Sequence, residues 1–219
     1  MNHNGIKLAM FDMDGTLFDT EKANYLAYKE ACGDDYPLSE TFFHEKCMSR
    51  NYKEFLPLLG VPEDMLGPIH KKKLACYTKH FGSIQPNRHL FAIAEGLTRS
   101  GTKLCLVTTA SEKNTLELLD FFQYTDIFDL LVTQETVHAL KPAPDAYLYA
   151  IEYFQVDPAD TVIFEDSDLG IEAAEKTGAS VFRVEKFPEP VQKESQVLKR
   201  HNVLYTIDPD GGSTKEDEL

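Results

Sequence analysis

The 219-residue sequence lacks any long apolar run. Its first hydrophobic stretch is short and interrupted by Lys7, and Met1 to Gly5 carry no basic region. A membrane-spanning helix needs about 20 apolar residues, and a secretory leader needs a basic start before its apolar core. Neither is expected here. The ending Glu216-Asp217-Glu218-Leu219 accordingly reads as a solvated acidic tail rather than a retention signal. Cysteine is scarce: Cys32, Cys47, Cys76 and Cys105 form no Cys-x-x-Cys pair and read as reduced thiols of a cytoplasmic protein. Positive charge is short as well, with 22 Lys and Arg against 36 Asp and Glu, a net −14. The missing basic footprint excludes nucleic acid as a partner. The same charge repels anions at long range, so an anionic substrate requires positive charge concentrated at its site. Strand signals are absent from Asp19 to Phe81, and no internal repeat is present.

What remains is a soluble globular chain, 42% hydrophobic and 26% charged, with enough apolar mass for a core. Its organising stretch runs from Ile6 to Leu17. A short apolar run ends in Asp12-Met13-Asp14-Gly15-Thr16, which reads as a buried strand closing on two acids. Side chains alternate along a strand, so Asp12 and Asp14 start on one side, and Gly15 lets the chain turn away. Carboxylates held together raise each other's pKa, so the pair marks a place where a cation or a reaction uses it.

Beyond Leu17 the period becomes helical. Ala23, Leu26, Ala27 and Ala31 mark a helix stopped by Gly33; shorter helices are expected at 41–47 and at 52–59, the latter broken by Pro57. A further helix is expected over 68–81, with Lys71-Lys72-Lys73 as a solvated face. From Asn87 onward helices alternate with strands at 104–107, 130–132, 161–164 and 181–184. This pattern predicts an α/β fold: a Rossmann-like parallel sheet with helices on both faces. The expected division is an α/β core of residues 1–17 and 88–219, with an all-helical domain, residues 18–87, inserted after the first strand. In such a sheet ligands bind at the carboxyl ends of the strands. Asp12 and Asp14, Thr108, and Glu165-Asp166 all fall at such ends, and Lys141 precedes a helix start.

Asp12-Met13-Asp14-Gly15-Thr16, Thr108, Lys141 and Glu165-Asp166-Ser167-Asp168-Leu169-Gly170, in that order, resemble the four motifs of the haloacid dehalogenase superfamily. The likeness covers nearly the whole chain and is nearest to the β-phosphoglucomutase-like phosphatases, whose small helical cap the inserted block resembles. Asn87 departs from the glycine that many relatives carry after the proline, but Asn tolerates left-handed backbone. The resemblance implies a phosphoric monoester hydrolase acting on a small phosphorylated molecule, working as a monomer and with no membrane partner.

It also implies roles. A phosphate monoester is a dianion, so an attacking carboxylate needs a hard cation, and oxygen ligands favour Mg2+. Asp12 is expected as nucleophile and metal ligand, forming an aspartyl-phosphate; Asp14 as acid and base, with its carbonyl on the metal. Asp166 is expected to ligate Mg2+ with Glu165 in support. Thr108, Thr109, Lys141 and amides around Met13 are expected to hold phosphoryl oxygens. From the cap, Thr20, Asn24, Lys46 and Arg50 are the expected substrate contacts, Lys46 and Arg50 being equally readable as exposed solubilising residues. A phosphomutase is the alternative reading. A signalling receiver fits less well, being about half this length without a helical insert, and a catalytically silent scaffold would not need the full acidic set.

Overall fold

The computed structural model describes residues 5–47, 50–185, 187, 196–200, 203–207 and 213–216. By internal contacts the chain divides into two units, Met1–Lys186 and Phe187–Leu219. The first unit opens with β1 (Leu8–Phe11) and β2 (Phe18–Asp19), followed by α1 (Glu21–Cys32), α2 (Glu40–Lys46), α3 (Tyr52–Phe55) and α4 (Glu63–Cys76). Then come β3 (Gln85–Pro86), α5 (Arg88–Arg99), β4 (Lys103–Val107), α6 (Glu112–Phe121) and β5 (Leu130–Val132). It closes with α7 (Asp145–Phe154), β6 (Thr161–Glu165), α8 (Asp168–Glu175) and β7 (Ser180–Arg183). The second unit, as far as it is described, is an antiparallel set of β8 (Gln196–Arg200), β9 (Val203–Ile207) and β10 (Ser213–Glu216). Residues 1–4 and 217–219, the ends read above from sequence, lie outside the described residues. Among those described, no helix is long and apolar enough to cross a membrane.

Five strands of the first unit form one wholly parallel sheet in the order β5-β4-β1-β6-β7. A sheet covered on both faces needs strands apolar at every position, which is why they read as continuous runs rather than alternations. The alternation still sorts the side chains. Ala9, Phe11, Leu104, Leu106 and Val162 go to one face with Leu90 and Phe91 of α5 and Leu118 and Leu119 of α6. Leu8, Met10, Cys105, Val107 and Ile163 go to the other, with Tyr147 and Ile151 of α7 and Ala173 and Ala174 of α8. The helices are therefore on both faces, as expected.

Between β2 and β3 the described residues form helices joined by turns, with no strand among them. Tyr25, Tyr28, Phe43, Phe55, Leu56 and Ile69 make a cluster of their own. Ala23, Ala27, Tyr77 and Phe81 instead join the cluster of the sheet face. The break at Pro57 is real: α3 passes into a 3-10 turn, Leu56–Leu59. The helix expected over 68–81 differs at both ends. It starts at Glu63 because Pro62 precedes it and Glu63 and Asp64 supply an acidic first turn, and Pro68 is carried within it. It tightens into a 3-10 turn, Tyr77–Ser83, after Cys76. Asn87 needs no left-handed backbone either: with φ −75° it caps α5, its side chain accepting from the Leu90 amide.

Candidate active site

The carboxyl ends of β1, β4 and β6 lie side by side. The register sets Phe11 against Leu106 on one flank and Phe164 on the other, and the Asp12 amide donates to the Phe164 carbonyl at 3.0 Å. Asp12 therefore leaves its strand between Val107 and Glu165. Into this position comes Lys141, from the loop between β5 and α7. Its Nζ donates to Asp12 Oδ1 at 2.5 Å, to Glu165 Oε1 at 2.7 Å and to the Val107 carbonyl at 3.2 Å.

Glu165 is fixed by every neighbour. Oε1 also takes the Tyr147 hydroxyl at 3.4 Å, while Oε2 accepts from the Ser167 amide at 2.8 Å and its hydroxyl at 3.0 Å. Gly170 makes room: a Cβ there would fall 1.7 Å from Glu165 Oε1. Asp166 is held more loosely, by the Thr16 hydroxyl at 2.9 Å. Oxygens of Asp12, Glu165 and Asp166 come within 4.8 Å of one another.

Three carboxylates thus face one ammonium. Burial pushes the Asp12 carboxyl well above its ordinary value; Lys141 opposes this, and Glu165 and Asp166 add to it. Burial also raises Asp166, to about 6. On Lys141 burial acts against the charge, but Asp12, Tyr147 and Glu165 outweigh it and hold the pKa well above the usual lysine value. The cluster is short of positive charge, and its donors are all hard oxygens. That donor set fits Mg2+.

Asp14, half-buried, points to a second set of groups. The Thr20 hydroxyl donates to Asp14 Oδ1 at 2.6 Å, and Asn24 Nδ2 donates to the Thr20 carbonyl at 3.1 Å. Burial raises the Asp14 pKa, with Thr20, Lys73 and Lys141 opposing. Met13 is buried, its carbonyl accepting from the amides of Leu17 and Phe18. Thr108 is buried just beyond β4, its hydroxyl accepting from the Ala110 amide at 3.0 Å, whereas Thr109 is exposed. Lys46 and Arg50 are exposed, and neither makes a side-chain hydrogen bond or ion pair among the described residues. Met48 and Ser49 between them lie outside those residues.

One residue contradicts the sequence reading. Lys71 and Lys72 are exposed, but Lys73 is buried, its Nζ 4.0 Å from the ring centroid of Tyr77 and 5.3 Å from that of Tyr28. Burial lowers its pKa to about 8, with Asp14 opposing. The signal was available: Leu66, Ile69, Lys73 and Cys76 are the buried positions of α4, so only Lys73 of the run falls on the apolar stripe. Tyr147 carried no such pattern, because its role depends on the distant Glu165 side chain, whereas Ser167 stands within the last of the four motifs.

Residues 9–184 match the model of the haloacid dehalogenase-like hydrolases. A phosphorylated carbohydrates phosphatase of Thermotoga maritima is 30% identical over 182 residues, 79% of this chain and 82% of that protein. A beta-phosphoglucomutase of Bacillus subtilis is 26% identical over 182 residues, 79% of this chain and 80% of its own. The crystal structure of CbbY from Rhodobacter sphaeroides in complex with phosphate superposes with a TM-score of 0.72 at 25% identity, covering 83% of this chain and 87% of that one. Motif order, sheet order and sequence agree, and the chain belongs to the haloacid dehalogenase-like hydrolase family.

Proposed function

We propose that this enzyme is a Mg2+-dependent phosphatase of a small phosphorylated carbohydrate or similar monoester, working through an aspartyl-phosphate on Asp12. The observation that carries the reading is the cluster of buried Asp12 and Glu165, both paired with Lys141, and the half-buried Asp166 beside them. The carbohydrate phosphatase among its relatives supports the substrate class.

A carboxylate oxygen of Asp12 attacks phosphorus, and the bond to the leaving oxygen breaks as the new O–P bond forms. Asp14 gives that leaving oxygen its proton, then takes one from the water that hydrolyses the intermediate; its raised pKa suits a carboxyl that must first be an acid. Lys141 and Thr108 hold phosphoryl oxygens, with Thr109 and the Met13 amide as further donors. Asp12, Asp166 and the Asp14 carbonyl would hold the metal, and Glu165, saturated with hydrogen bonds, orients Lys141. Mg2+ held there would neutralise the phosphate dianion that the carboxylate must approach.

Residues 18–87 act as the cap. Lys73, Thr20 and Asn24 meet the substrate next to Asp14, and Lys46 and Arg50 its distal part. The enzyme works as a monomer in the cytoplasm.

The test is a panel of sugar phosphates with Mg2+ or with chelator. Release of inorganic phosphate that needs Mg2+ and vanishes in Asp12→Asn is expected; turnover by a clean Asp12→Asn preparation would refute the nucleophile. A phosphomutase is the second reading, favoured by the beta-phosphoglucomutase among the relatives. It is separated by product.

A further inference from the structure

Among the described residues a second group of metal-ligating side chains comes together, apart from the strand ends. Glu30 lies near the end of α1, Cys76 ends α4, and His80 lies in the following 3-10 turn. One carboxylate oxygen, the sulfur and one ring nitrogen all lie within 4.8 Å of one another. Cys76 and His80 are four residues apart on a continuous helical path, so they share a face. Glu30 reaches them from the neighbouring helix.

The local charges already treat this as a place for a cation. Lys79 Nζ is 2.5 Å from Glu30 Oε1, and His80 Nε2 is 3.1 Å from Glu30 Oε2. Lys79 is 62% exposed, so it can swing into water without disturbing any packing. The Cys76 thiol is buried and has only carbonyl partners, Ala27 at 3.5 Å and Lys73 at 3.4 Å. A thiol is a weak donor, so losing these two hydrogen bonds costs little beside removing the proton from a buried sulfur, a cost that the cation must offset.

We propose that Glu30, Cys76 and His80 form a second cation site, one that takes a borderline divalent ion of the Zn2+ type. A sulfur, an imidazole and a carboxylate make up a three-ligand set for a tetrahedral ion whose fourth position is water. Such an ion sets neighbouring ligand atoms roughly 3–4 Å apart, within small side-chain adjustments of what is found. A thiolate ligand disfavours Mg2+, so the site and the all-oxygen cluster at Asp12 select different metals. On binding, the thiol proton leaves to solvent, Lys79 gives up Glu30, and the hydrogen bond between His80 and Glu30 breaks so that the neutral imidazole binds through a ring nitrogen. The ion would then tie α1 to the end of α4, three residues beyond Lys73.

The test uses the full chain, stripped with chelator and held in excess Mg2+ so that the carboxylate cluster is occupied. Co2+ is the probe, because a thiolate ligand gives it a charge-transfer absorption that oxygen ligands do not. The expected result is one equivalent of that absorption, displaced by Zn2+, lost in Cys76→Ser and unchanged in Asp12→Asn. His80→Ala, at a more exposed position, keeps the test open if the cysteine variant misfolds; it should weaken Co2+ binding by about tenfold or more. No thiolate absorption in the wild type, or the same absorption in Cys76→Ser or undiminished affinity in His80→Ala, overturns the site.

Discussion

A side chain on Gly15 would strike Asp166: a Cβ built there falls 2.2 Å from Asp166 Oδ2, and the residue itself has φ +91°. The turn that carries the chain away from Asp14 thus also sets where Asp166 can stand. Gly15→Ala is expected to cost about 1–3 kcal/mol through backbone strain and crowding, and to lower Mg2+ affinity. Gly33→Ala is the control, because Gly33 has φ +64° with nothing within 4 Å. Its stability should fall with Mg2+ affinity untouched. Thermal melts and calorimetry on both variants check this, and equal Mg2+ affinities would contradict it.

Lys141 is the only cation in direct contact with Asp12 and Glu165 among the described residues. Removing one partner of a buried ion pair leaves uncompensated charge and costs about 3–5 kcal/mol. Lys141→Met should show that loss in chelator. A cation bound by the same carboxylates restores part of the charge balance, so added Mg2+ should raise its melting temperature more than it raises that of the wild type. An equal or smaller rise would show that metal and ammonium do not share those carboxylates.

The strand ends were legible in sequence because a parallel sheet writes itself as continuous apolar runs, and the residues after them are fixed by the chain's direction. Residues 130–132 match β5 to the residue. Asp12, Lys141 and Glu165 could be brought together from motif order, though they lie far apart in the chain. What stayed hidden depends on side chains from different elements meeting. Lys73 reads as one of three solvated lysines until the stripe Leu66, Ile69, Cys76 is aligned with it. Tyr147 looks like any helix aromatic until Glu165 Oε1 is found 3.4 Å from its hydroxyl. Helix α4 starts five residues before the expected 68 because Pro62 and the acids after it supply the start and Pro68 is accommodated inside the helix.

Lys73 lowers stability at neutral pH. Its folded-state pKa is about 8 against an ordinary 10.5. Below about pH 8 it is charged in both states and the burial penalty is complete. Between about pH 8 and 10.5 the unfolded chain holds the proton more tightly, so stability rises with pH across that window. Lys73→Met should therefore be more stable than wild type at pH 7, with the gap closing by pH 10. Turnover should fall about tenfold or more, since the charge beside Asp14 is gone. Denaturant unfolding at the two pH values decides it: a gap that widens with pH has the wrong sign for this account.

His70 acts at the other end of the scale. Its Nδ1 is 2.9 Å from the Tyr28 hydroxyl, Tyr52 stacks on it at 3.9 Å, and burial, with Lys73 adding, lowers its pKa to about 4 from 6.5. The folded protein keeps it neutral while the unfolded chain protonates it. Stability is therefore lost as pH falls from about 6.5 to about 4. His70→Asn retains a polar partner for Tyr28 but does not titrate, so its stability should fall less steeply over that range. Melting temperatures at pH 7 and pH 4.5 give the comparison, and parallel curves would exclude His70 as a source of acid lability.

Thr20 hydrogen-bonds Asp14 at 2.6 Å, and Asn24 is attached to the Thr20 carbonyl at 3.1 Å. A mutase must keep water from its intermediate until the sugar is in place, which requires cap closure to be coupled to the protonation of Asp14. The side chain that reaches the Thr20–Asp14 pair from α1 is Asn24. An amide can hydrogen-bond as an imidazole does, but it cannot change charge near neutral pH. Without that coupling, water reaches the intermediate while Asp14 is able to accept its proton. Supplied with β-glucose 1-phosphate and a trace of the bisphosphate, the enzyme should release inorganic phosphate and little glucose 6-phosphate. Glucose 6-phosphate forming much faster than inorganic phosphate would reverse the assignment and make the chain a mutase that gates without histidine.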